Sequence, residues 1–547
     1  MKCVSKRGRV LVFPPRQTHR ATLRPVNPAD HPSQKLSFRE KAGYSLGDAS
    51  ANFVFQMFLI FPTAFYVDVM GISPASMGTM LLLVRFSDAI TDPVMGFIAD
   101  RTDHKWGKFR PWLLWSALPF ALLFWAAFTV PSGLGDAGRF WYALVTYALL
   151  MVAYTVNNVP YSSLNGVMTS DGIERTSVSS YRFFAAMCAA FIVQGFTLPL
   201  VSKFGGEDPA RGWSVTIALF AAVSIVFFVI AFFSVKERVR PPKHQKPDLL
   251  QDFKDVGRNR PWLAMFGMTL FVFITLALRG NASYVHVTRY IDPDALRAFI
   301  ERLGLVASEG GGNTGLGFRI LDLFGLIVNP GGDPTAVGFS VFNMMGSLVN
   351  IAGVLAAKPL ARFFGKKWTF IVGLGGAAVF QSLVFFLKPG DVPAMFALTV
   401  LTSMCYGPTI PLLWAMIADT ADWSEWKTRR RSTGFVFAGM VFALKAGLGI
   451  GGALAGWVLA AYGYTPETAH LPGVQLGIRM MVGIYSGGCF AIGVVFMFFY
   501  PITRRIEKQM SAELEERYRT DPDYGNTAPA ASPAGRIPGL DETVSPG

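Results

Sequence analysis

The sequence predicts an all-α membrane protein of about twelve spanning helices, arranged as two bundles of six. Apolar runs of about 20 residues, the length that crosses a bilayer core, recur along the chain. Only 16% of the 547 residues are charged and 52% are hydrophobic, whereas a soluble protein would have about a quarter of its residues charged. A polar, proline-bearing segment at 236–260 separates six apolar runs from six more. The runs are too long and too continuously apolar for barrel strands, so we expect helices.

Breaks between the apolar runs set the predicted spans. The first six cover 43–69, 74–100, 111–131, 138–165, 179–203 and 211–235, and the second six cover 261–288, 337–361, 367–388, 392–420, 434–463 and 475–501. We predict six-helix bundles at 39–235 and 261–501, a cytoplasmic linker at 236–260, a disordered tail at 1–38 and a cytoplasmic tail at 502–547. Two bundles of this kind are typical of secondary transporters.

The net charge of +14 does not indicate nucleic-acid binding, because the basic residues follow a membrane pattern. Lys and Arg cluster in the loops at 101–110, 236–260, 362–367 and 427–431, whereas the loops at 70–73, 132–137 and 389–391 hold no such cluster. Basic loops face the cytoplasm in an inner membrane, so we expect both termini inside. The sequence holds no metal-ligand cluster, nucleophile elbow or phosphate-binding loop, so we expect neither enzyme activity nor a cofactor.

One segment breaks the symmetry between the two halves. The insertion, residues 289–336, lies between spans seven and eight and is rich in glycine. Its stretch PDALRAFIERLG (293–304) has helical periodicity. Long loops in a compact fold are either functional or disordered. Two interpretations remain open: a small non-cytoplasmic subdomain or flap, and an insertion without function.

Span two carries charges within an apolar run. Asp88 and Asp92 are four residues apart, so both project from one helix face with Cβ atoms about 6 Å apart. A charge at mid-bilayer costs about 2.5–3.5 kcal/mol on insertion scales. The two carboxylates can share a proton, pair with Arg85 or bind a cation. The more specific hypothesis is a Na+ or H+ site, which requires oxygen ligands from a second helix. The alternative is a structural ion pair between Arg85 and Asp88.

Three further cations lie within or beside spans. Lys445 is central to span eleven, and we expect it to be a counter-charge for the carboxylates. Arg279, near the outer end of span seven, either reaches the membrane interface or contacts substrate. Arg182, at the start of span five, is an interfacial anchor or a substrate contact. Among the aromatic residues, Tyr154 and Tyr161 lie beside polar residues and are candidates to stack on a sugar ring.

Several motifs in the right order resemble one known family. DAITDPVMGFIADRTDHKWGKFRP (88–111) resembles the second-span signature of the glycoside–pentoside–hexuronide cation symporters, a branch of the major facilitator superfamily typified by melibiose permease. Within it, Gly96, Asp100 and Arg101 fit the superfamily's G-x-x-x-D-R element. MIADTADWSEWKTRRRSTG (416–434), which contains Asp419, Asp422 and Glu425, resembles the family's signature after span ten. RGNASYV and LKAG fit spans seven and eleven, so the resemblance covers roughly 40–510.

The resemblance implies roles for individual positions. It implies that Asp88, Asp92 and Thr155 bind the cation, that Arg85 and Lys445 are the basic residues beside them, and that Arg182 contacts sugar. The chain departs from the melibiose type where Asn52 and Asn158 replace sugar-binding aspartates and Thr91 replaces an Asn beside the carboxylates. Asn still hydrogen-bonds hydroxyls but lacks the charge-assisted bond of a carboxylate. Arg182 and Arg279 would then stand without an acidic neighbour and favour an anionic or strongly polar substrate.

These expectations describe a Na+- or H+-coupled symporter of a glycoside, pentoside or hexuronide. It would work by alternating access, as a monomer in the inner membrane, with the substrate and the lipid bilayer as its partners. The alternative is a cation-coupled carrier of lysolipids or other amphiphiles, which would have an apolar cleft open to lipid. In either case, ion binding would relieve the cost of the paired carboxylates and change which packing of the bundles is favoured.

Overall fold

A computed structural model describes residues 35–169, 172–238, 256–307, 315–429 and 433–520. This part of the chain is predominantly helical and contains no β-sheet, although a single bridge pairs Val306 with Val328. The predicted all-α class is therefore confirmed. Residues 1–34 and 521–547, which are parts of the predicted tails at 1–38 and 502–547, and residues 239–255 of the predicted linker lie outside the described residues.

The first bundle contains six long helices at the predicted positions. They are α1 (Phe38–Ile60), α2 (Pro74–Arg101), α3 (Arg110–Ala127), α4 (Asp136–Met168), α5 (Gly172–Gly205) and α6 (Pro209–Ser234). A π-helical turn at Thr63–Val67 extends the chain beyond the end of α1.

The second bundle also occupies the predicted positions, with some spans built from two helical pieces. Its helices are α7 (Arg260–Val285), α8 (Pro293–Arg302), α9 (Leu316–Leu323), α10 (Thr335–Phe364), α11 (Lys366–Leu383), α12 (Val392–Tyr406), α13 (Thr409–Thr428), α14 (Thr433–Ala461), α15 (Pro472–Arg479), α16 (Ser486–Phe498) and α17 (Arg504–Thr520). The π-helical turn His286–Tyr290 extends α7, and the turn Met480–Tyr485 joins α15 to α16. The pairs α12–α13 and α15–α16 each form one span.

Nine segments of the described chain are long and apolar enough to cross a membrane on length and composition alone. They coincide with predicted spans four to twelve. Helices α1, α2 and α3 occupy the positions of spans one to three but are not among these nine. The hydropathy of α1 and α2 is lowered by charged residues such as Asp48 and Asp88, whose side chains pair with other side chains inside the protein.

Capping residues account for several of the helix starts. Ser37 accepts a hydrogen bond from the backbone N–H of Glu40, and the Glu40 side chain accepts one from the Ser37 backbone, which closes a capping box on α1. Ser73 caps α2 before Pro74, and Asn259 caps α7. The predicted spans fall close to these helices because the same polar residues interrupt the apolar runs.

The two bundles meet along three helix pairs. Helix α2 packs on α14, α5 packs on α10, and α1 packs on α7. Helices α2 and α14 approach closely, since a Cβ on Gly456 would lie 2.7 Å from the backbone nitrogen of Gly78. Small residues at helix crossings permit this approach within membranes.

The predicted N-terminal tail, 1–38, is too long at its inner end. Leu36 is buried, and its backbone N–H donates to Glu174 of α5 at 3.2 Å. The chain therefore packs against the first bundle before α1 begins. An apolar residue beside the Ser37 cap was the signal for this contact.

The predicted C-terminal tail, 502–547, contains a docked helix. Met510 and Leu514 of α17 are four residues apart, so they share one face, and both are buried. The indole of Trp426 in α13 donates to Glu513 at 2.6 Å, and this hydrogen bond lowers the pKa of the Glu513 carboxyl. Helix α17 thus lies against α13, and we call this end of the molecule the near end.

The insertion lies at the opposite, distal end and bridges the two bundles. Helix α8 confirms the helical periodicity at 293–304, whereas α9 was not predicted. Asp322 Oδ2 of α9 lies 3.7 Å from Lys203 Nζ of α5, and the ring centroids of Phe324, which follows α9, and Phe196 are 4.8 Å apart. A segment that follows α7 in the chain therefore packs on the first bundle.

Candidate cation and substrate site

Asp88 and Asp92 of α2 lie beside a lysine from the second bundle. Lys445 Nζ of α14 is 2.5 Å from Asp92 Oδ2 and 3.5 Å from Asp88 Oδ2. Arg85 Nη1 is 3.6 Å from Asp88 Oδ2, and Thr155 of α4 donates its hydroxyl to Asp92 Oδ1 at 2.9 Å. We call these five residues the carboxylate site. It joins three helices and both bundles.

Local sequence explains how α14 comes this close to α2. A Cβ on Gly449 would lie 2.9 Å from Arg85 Cβ, so only a glycine permits the approach without a shift. Lys445 lies one turn before Gly449 on the same face of α14, and this places its amine opposite the carboxylates. Pro93 follows Asp92 inside α2 and removes one backbone donor from the helix at that point.

The charges of the carboxylate site balance in this conformation. Arg85 and Lys445 are positive, whereas Asp88 and Asp92 are negative, so the formal sum is zero. Lys445 thus lies where the sequence analysis expected a counter-charge for the two carboxylates.

The two carboxylates differ in their access. The side chain of Asp88 is 4% exposed, whereas that of Asp92 is 28% exposed. Both border a cavity of about 450 Å³, whose other lining residues are mostly apolar and include Phe86 and Phe442. An ion entering from the cavity would therefore reach Asp92 more readily than Asp88.

A second charged pair lies in the first bundle and was not predicted. Arg182 Nη2 of α5 is 3.3 Å from Asp48 Oδ1 of α1. The guanidinium carbon of Arg182 also lies 4.9 Å from the ring centroid of Tyr161 and 5.7 Å from that of Tyr44. The prediction that Arg182 lacks an acidic neighbour is therefore wrong. The signal was Asp48 itself, a carboxylate inside the first predicted span, four residues before Asn52.

Three of the four other residues predicted to contact sugar from the first bundle, Asn52, Asn158 and Tyr154, are half-buried. Asn52 donates its amide to the backbone oxygen of Asp48 at 2.9 Å. Asn158 accepts a hydrogen bond from a serine hydroxyl one turn later in α4, at 3.4 Å. Tyr154 packs at the edge of the core. Within the described chain, no hydrogen bond links either amide to Arg182, so the structure does not place the two Asn residues on the guanidinium.

The Tyr161 side chain packs against Tyr44 as well as against Arg182. It is 1% exposed, its ring stacks on Tyr44 with centroids 4.5 Å apart, and its hydroxyl donates to the Tyr44 backbone oxygen at 2.8 Å. The ring and the hydroxyl of Tyr161 are the two groups that could bind a sugar, and both are therefore occupied by contacts within the protein. The prediction that Tyr161 stacks directly on a sugar is wrong for this conformation.

Two predicted ligands lie apart from the carboxylate site. Arg279 of α7 borders two cavities, one of which lies between the bundles. This position favours the substrate-contact interpretation of Arg279 over the interfacial-anchor interpretation. The Thr91 hydroxyl is buried and has no hydrogen-bond partner among the described residues. Thr91 therefore does not contact the two carboxylates in this conformation.

The motif after span two organises the near end of the first bundle. Lys108 Nζ lies 3.0 Å from Asp100 Oδ1, and the guanidinium of Arg101 lies 3.2 Å from the ring centroid of Phe97. A Cβ on Gly96 would meet only a valine side chain of α4 at 3.9 Å. Packing in this conformation therefore does not require a glycine at that position.

The motif after span ten organises the near end of the second bundle. Lys366 Nζ lies 2.8 Å from Asp419 and 2.9 Å from a glutamate of α17. The Tyr518 hydroxyl of α17 donates to Glu425, and Asp422 lies between these two acidic positions on α13. These contacts of the two motifs each join residues of the same bundle. In this conformation, the contacts described for the predicted cytoplasmic gate residues therefore stabilise each bundle separately.

A cluster at the distal end joins the bundles and was missed by the sequence analysis. Asp68, which follows the π-helical turn after α1, accepts hydrogen bonds from the Tyr284 hydroxyl at 2.8 Å and the Tyr464 hydroxyl at 3.0 Å. Arg289 Nη2 lies 3.0 Å from the same carboxylate. We call these four residues the distal cluster. The distal end is closed by these contacts, which depend on helix packing and have no signature in the sequence.

Comparison with known proteins identifies the family. The sequence model of the family described as "MFS/sugar transport protein" matches residues 43–300 and 332–504, which include the carboxylate site, Asp48, Arg182 and the distal cluster. The chain belongs to this family. The predicted resemblance to the glycoside–pentoside–hexuronide cation symporters is confirmed. The unmatched stretch, 301–331, falls inside the insertion, so most of that segment is an addition to the family's common fold.

Similar proteins support this assignment over nearly the whole chain. "Inner membrane symporter YicJ" of Escherichia coli (strain K12) is 34% identical over 89% of this chain and 97% of its own length. "Putative glycoside/cation symporter YagG" of the same strain is 30% identical over 88% of this chain and 95% of its own length. A solved structure of a bacterial homologue of the human lysosomal transporter Spinster, inward-facing and unoccupied, has a TM-score of 0.57 with 13% identity, over 84% of this chain and 97% of that one. This likeness confirms the two-bundle transporter fold.

Proposed function

We propose that this protein is a secondary transporter that couples Na+ or H+ to the uptake of a sugar or glycoside by alternating access. The observation that carries the proposal is the position of Lys445: this cation from the second bundle lies beside two carboxylates of the first. We further propose a monomer in the inner cell membrane, with the near end in the cytoplasm and no cofactor besides the coupling ion. The basic loops support that orientation.

Competition between the ion and Lys445 supplies the coupling in this proposal. A Na+ or H+ that binds Asp92 reduces the attraction between that carboxylate and the Lys445 amine. Because Lys445 belongs to the other bundle, this weakens a contact that holds the two bundles in their present packing. A ligand changes a conformational equilibrium only by its difference in affinity for the two states. The ion provides that difference by replacing Lys445 in one state and not in the other.

The Asp48–Arg182 pair is the proposed contact for sugar hydroxyls. A carboxylate accepts and a guanidinium donates, so together they can bind two adjacent hydroxyls with charge-assisted hydrogen bonds. The Arg182 Nε atom is buried and has no hydrogen-bond partner among the described residues. A substrate oxygen would satisfy that donor.

The deciding experiment is transport into proteoliposomes with Asp92→Asn. A panel of labelled glycosides is offered with and without an imposed Na+ or H+ gradient. We expect the variant to lose uphill accumulation and to keep substrate exchange, because only the ion's charge partner is removed. Asp136→Asn is the matched control, since this exposed carboxylate at the start of α4 lies outside the site. Normal accumulation by Asp92→Asn would overturn the proposed ion site.

One observation favours the second candidate, a carrier of amphiphiles. The 450 Å³ cavity beside the carboxylate site is lined mostly by apolar side chains of α2 and α14, such as Leu82 and Val441. An acyl chain would fit such a lining, whereas a free sugar would not use it. The same proteoliposomes can be tested with a fluorescent lysolipid, and its ion-dependent uptake without any glycoside uptake would favour this candidate.

A further inference from the structure

The insertion contains two short amphipathic helices that differ in how their apolar faces are covered. In α8, Leu296 and Ile300 are fully buried. In α9, Leu316, Ile320 and Leu323 share one face because they are four and three residues apart, and they are 76%, 48% and 65% exposed. All eight residues of α9 are described, and none of them is buried. The protein therefore covers the apolar face of α8 and leaves that of α9 exposed.

A turn at the C-terminal end of α9 fixes this helix against α5. Gly325 has a left-handed backbone, with φ at 73°, and its N–H donates to the Asp322 backbone oxygen at 2.9 Å. The Leu326 N–H donates to the Leu321 backbone oxygen at 2.9 Å. These are the two hydrogen bonds of a Schellman motif. A Cβ on Gly325 would lie 2.6 Å from the Pro199 backbone oxygen, so the turn lies directly on α5.

The part of α5 that this turn contacts lies inside the apolar section of that helix. Residues 183–202 contain no charged residue, and these 20 residues extend about 30 Å, the thickness of the hydrocarbon core. Lys203 follows this section and marks its distal edge, where its amine pairs with Asp322. Phe196, whose ring lies against that of Phe324, is seven residues before Lys203, or about 10 Å along the helix axis. Helix α9 therefore ends beside α5 at a depth just inside the membrane.

Phospholipid is the cover that fits the exposed face of α9 at this depth. Amphipathic helices at a membrane surface bury their apolar face about 5–10 Å into the boundary between headgroups and acyl chains. Three aliphatic side chains offer much less than the about 800 Å² that each partner buries in a stable protein–protein interface, which argues against a second copy. The two charged residues of α9, Arg319 and Asp322, cancel formally. The contact is therefore apolar and requires no anionic headgroup.

We propose that α9 is an interfacial helix whose face of Leu316, Ile320 and Leu323 lies among the phospholipids of the membrane leaflet at the distal end. The helix belongs to the stretch that the family's sequence model does not match, so this contact is separate from what the chain shares with its family. The same insertion packs on the second bundle through α8, where the ring centroids of Phe299 and Phe396 are 4.5 Å apart. Helix α9 thus anchors in the membrane a segment that bridges the two bundles.

Quenching of a fluorophore attached to α9 tests the proposal. In the full-length protein with its native cysteines replaced by serine, Ile320→Cys is labelled with bimane and reconstituted in phosphatidylcholine liposomes. We expect strong quenching by phosphatidylcholine that carries bromine on the upper part of its acyl chains. Iodide, supplied on both sides of the membrane, should quench this label several-fold less than a label at the exposed Glu301→Cys of α8. Val379→Cys, which is exposed within the predicted span at 367–388, is the reference for a label in lipid.

Two results would contradict the proposal. Iodide quenching at position 320 as strong as at position 301 would place the apolar face of α9 in water. Protection of position 320 from both quenchers would show that protein covers this face, and a disulfide-linked dimer of unlabelled Ile320→Cys would then identify a second copy as the cover. If Ile320→Cys does not fold, Leu316→Cys on the same face provides the same comparison and should give the same result.

Discussion

At the scale of single residues, Asp48 is the acidic partner of Arg182 that the sequence analysis did not identify. The sequence placed two amides, Asn52 and Asn158, at positions where a related type has carboxylates. In the structure, the negative charge is still present in the first bundle, one helical turn earlier on α1, and it is paired with Arg182. Spacing along a single helix identifies residues that share a face, but it cannot show which residue of another helix they meet. This is why Arg182 was identified and its partner was not.

Asp48→Asn should therefore weaken binding of the transported glycoside by about 10- to 100-fold, since hydrogen bonds to charged groups contribute about 1.5–3 kcal/mol. The affinity for the coupling ion, measured without glycoside, should stay within about twofold, because the carboxylate site is unchanged. Both affinities are measured in one purified sample by calorimetry. Unchanged glycoside binding in Asp48→Asn would show that the pair is structural.

At the scale of helices, the apolar runs predicted the positions of α1 to α7, of α10 and α11, and of the spans that α12 to α16 form. The sequence analysis failed where an element is amphipathic or short. Helix α17 was hidden in a charged tail because only Met510 and Leu514 on one face are buried. Helix α9 was not predicted because it lies in a glycine-rich segment. Pairing between helices, as in the distal cluster, was also beyond prediction because it depends on packing geometry.

We expect the distal cluster to hold α1 and α7 together at the distal end. Asp68→Asn keeps the size of the side chain but removes its charge, which weakens its contacts with Arg289, Tyr284 and Tyr464. We expect the distal end to open about 10- to 100-fold more often, given about 1.5–3 kcal/mol for a hydrogen-bonded charge. A cysteine in place of Asn343, which lines a cavity between the two bundles, would report this opening as a faster reaction with a membrane-impermeant thiol reagent.

The control for this experiment is Asp333→Asn, because Asp333 is an exposed carboxylate of the insertion that accepts hydrogen bonds only from Thr335 at the start of α10, among the described residues. It should leave the labelling rate unchanged. If Asp68→Asn reacts no faster than this control, the distal cluster does not hold the bundles together.

At the scale of the whole molecule, the proposed orientation follows from the basic loops, and a labelling experiment tests it. In a background with the native cysteines replaced by serine, single cysteines replace Glu301 of α8 and Glu516 of α17, both of which are exposed. We expect an impermeant maleimide to label position 301 in intact cells and position 516 only after permeabilisation. The reverse pattern would place the near end outside.

The insertion has a kinetic consequence for the proposed cycle. Its contacts with α5, through Lys203 and Phe196, and the distal cluster span the same gap between the bundles. Each of these contacts must break once per turnover for the distal end to open, so their combined strength enters the activation barrier of that step. In the proposed cycle, a segment outside the family's common fold would therefore slow turnover. The speed of such a carrier could be adjusted in evolution by altering this surface, with the ion and sugar contacts left as they are.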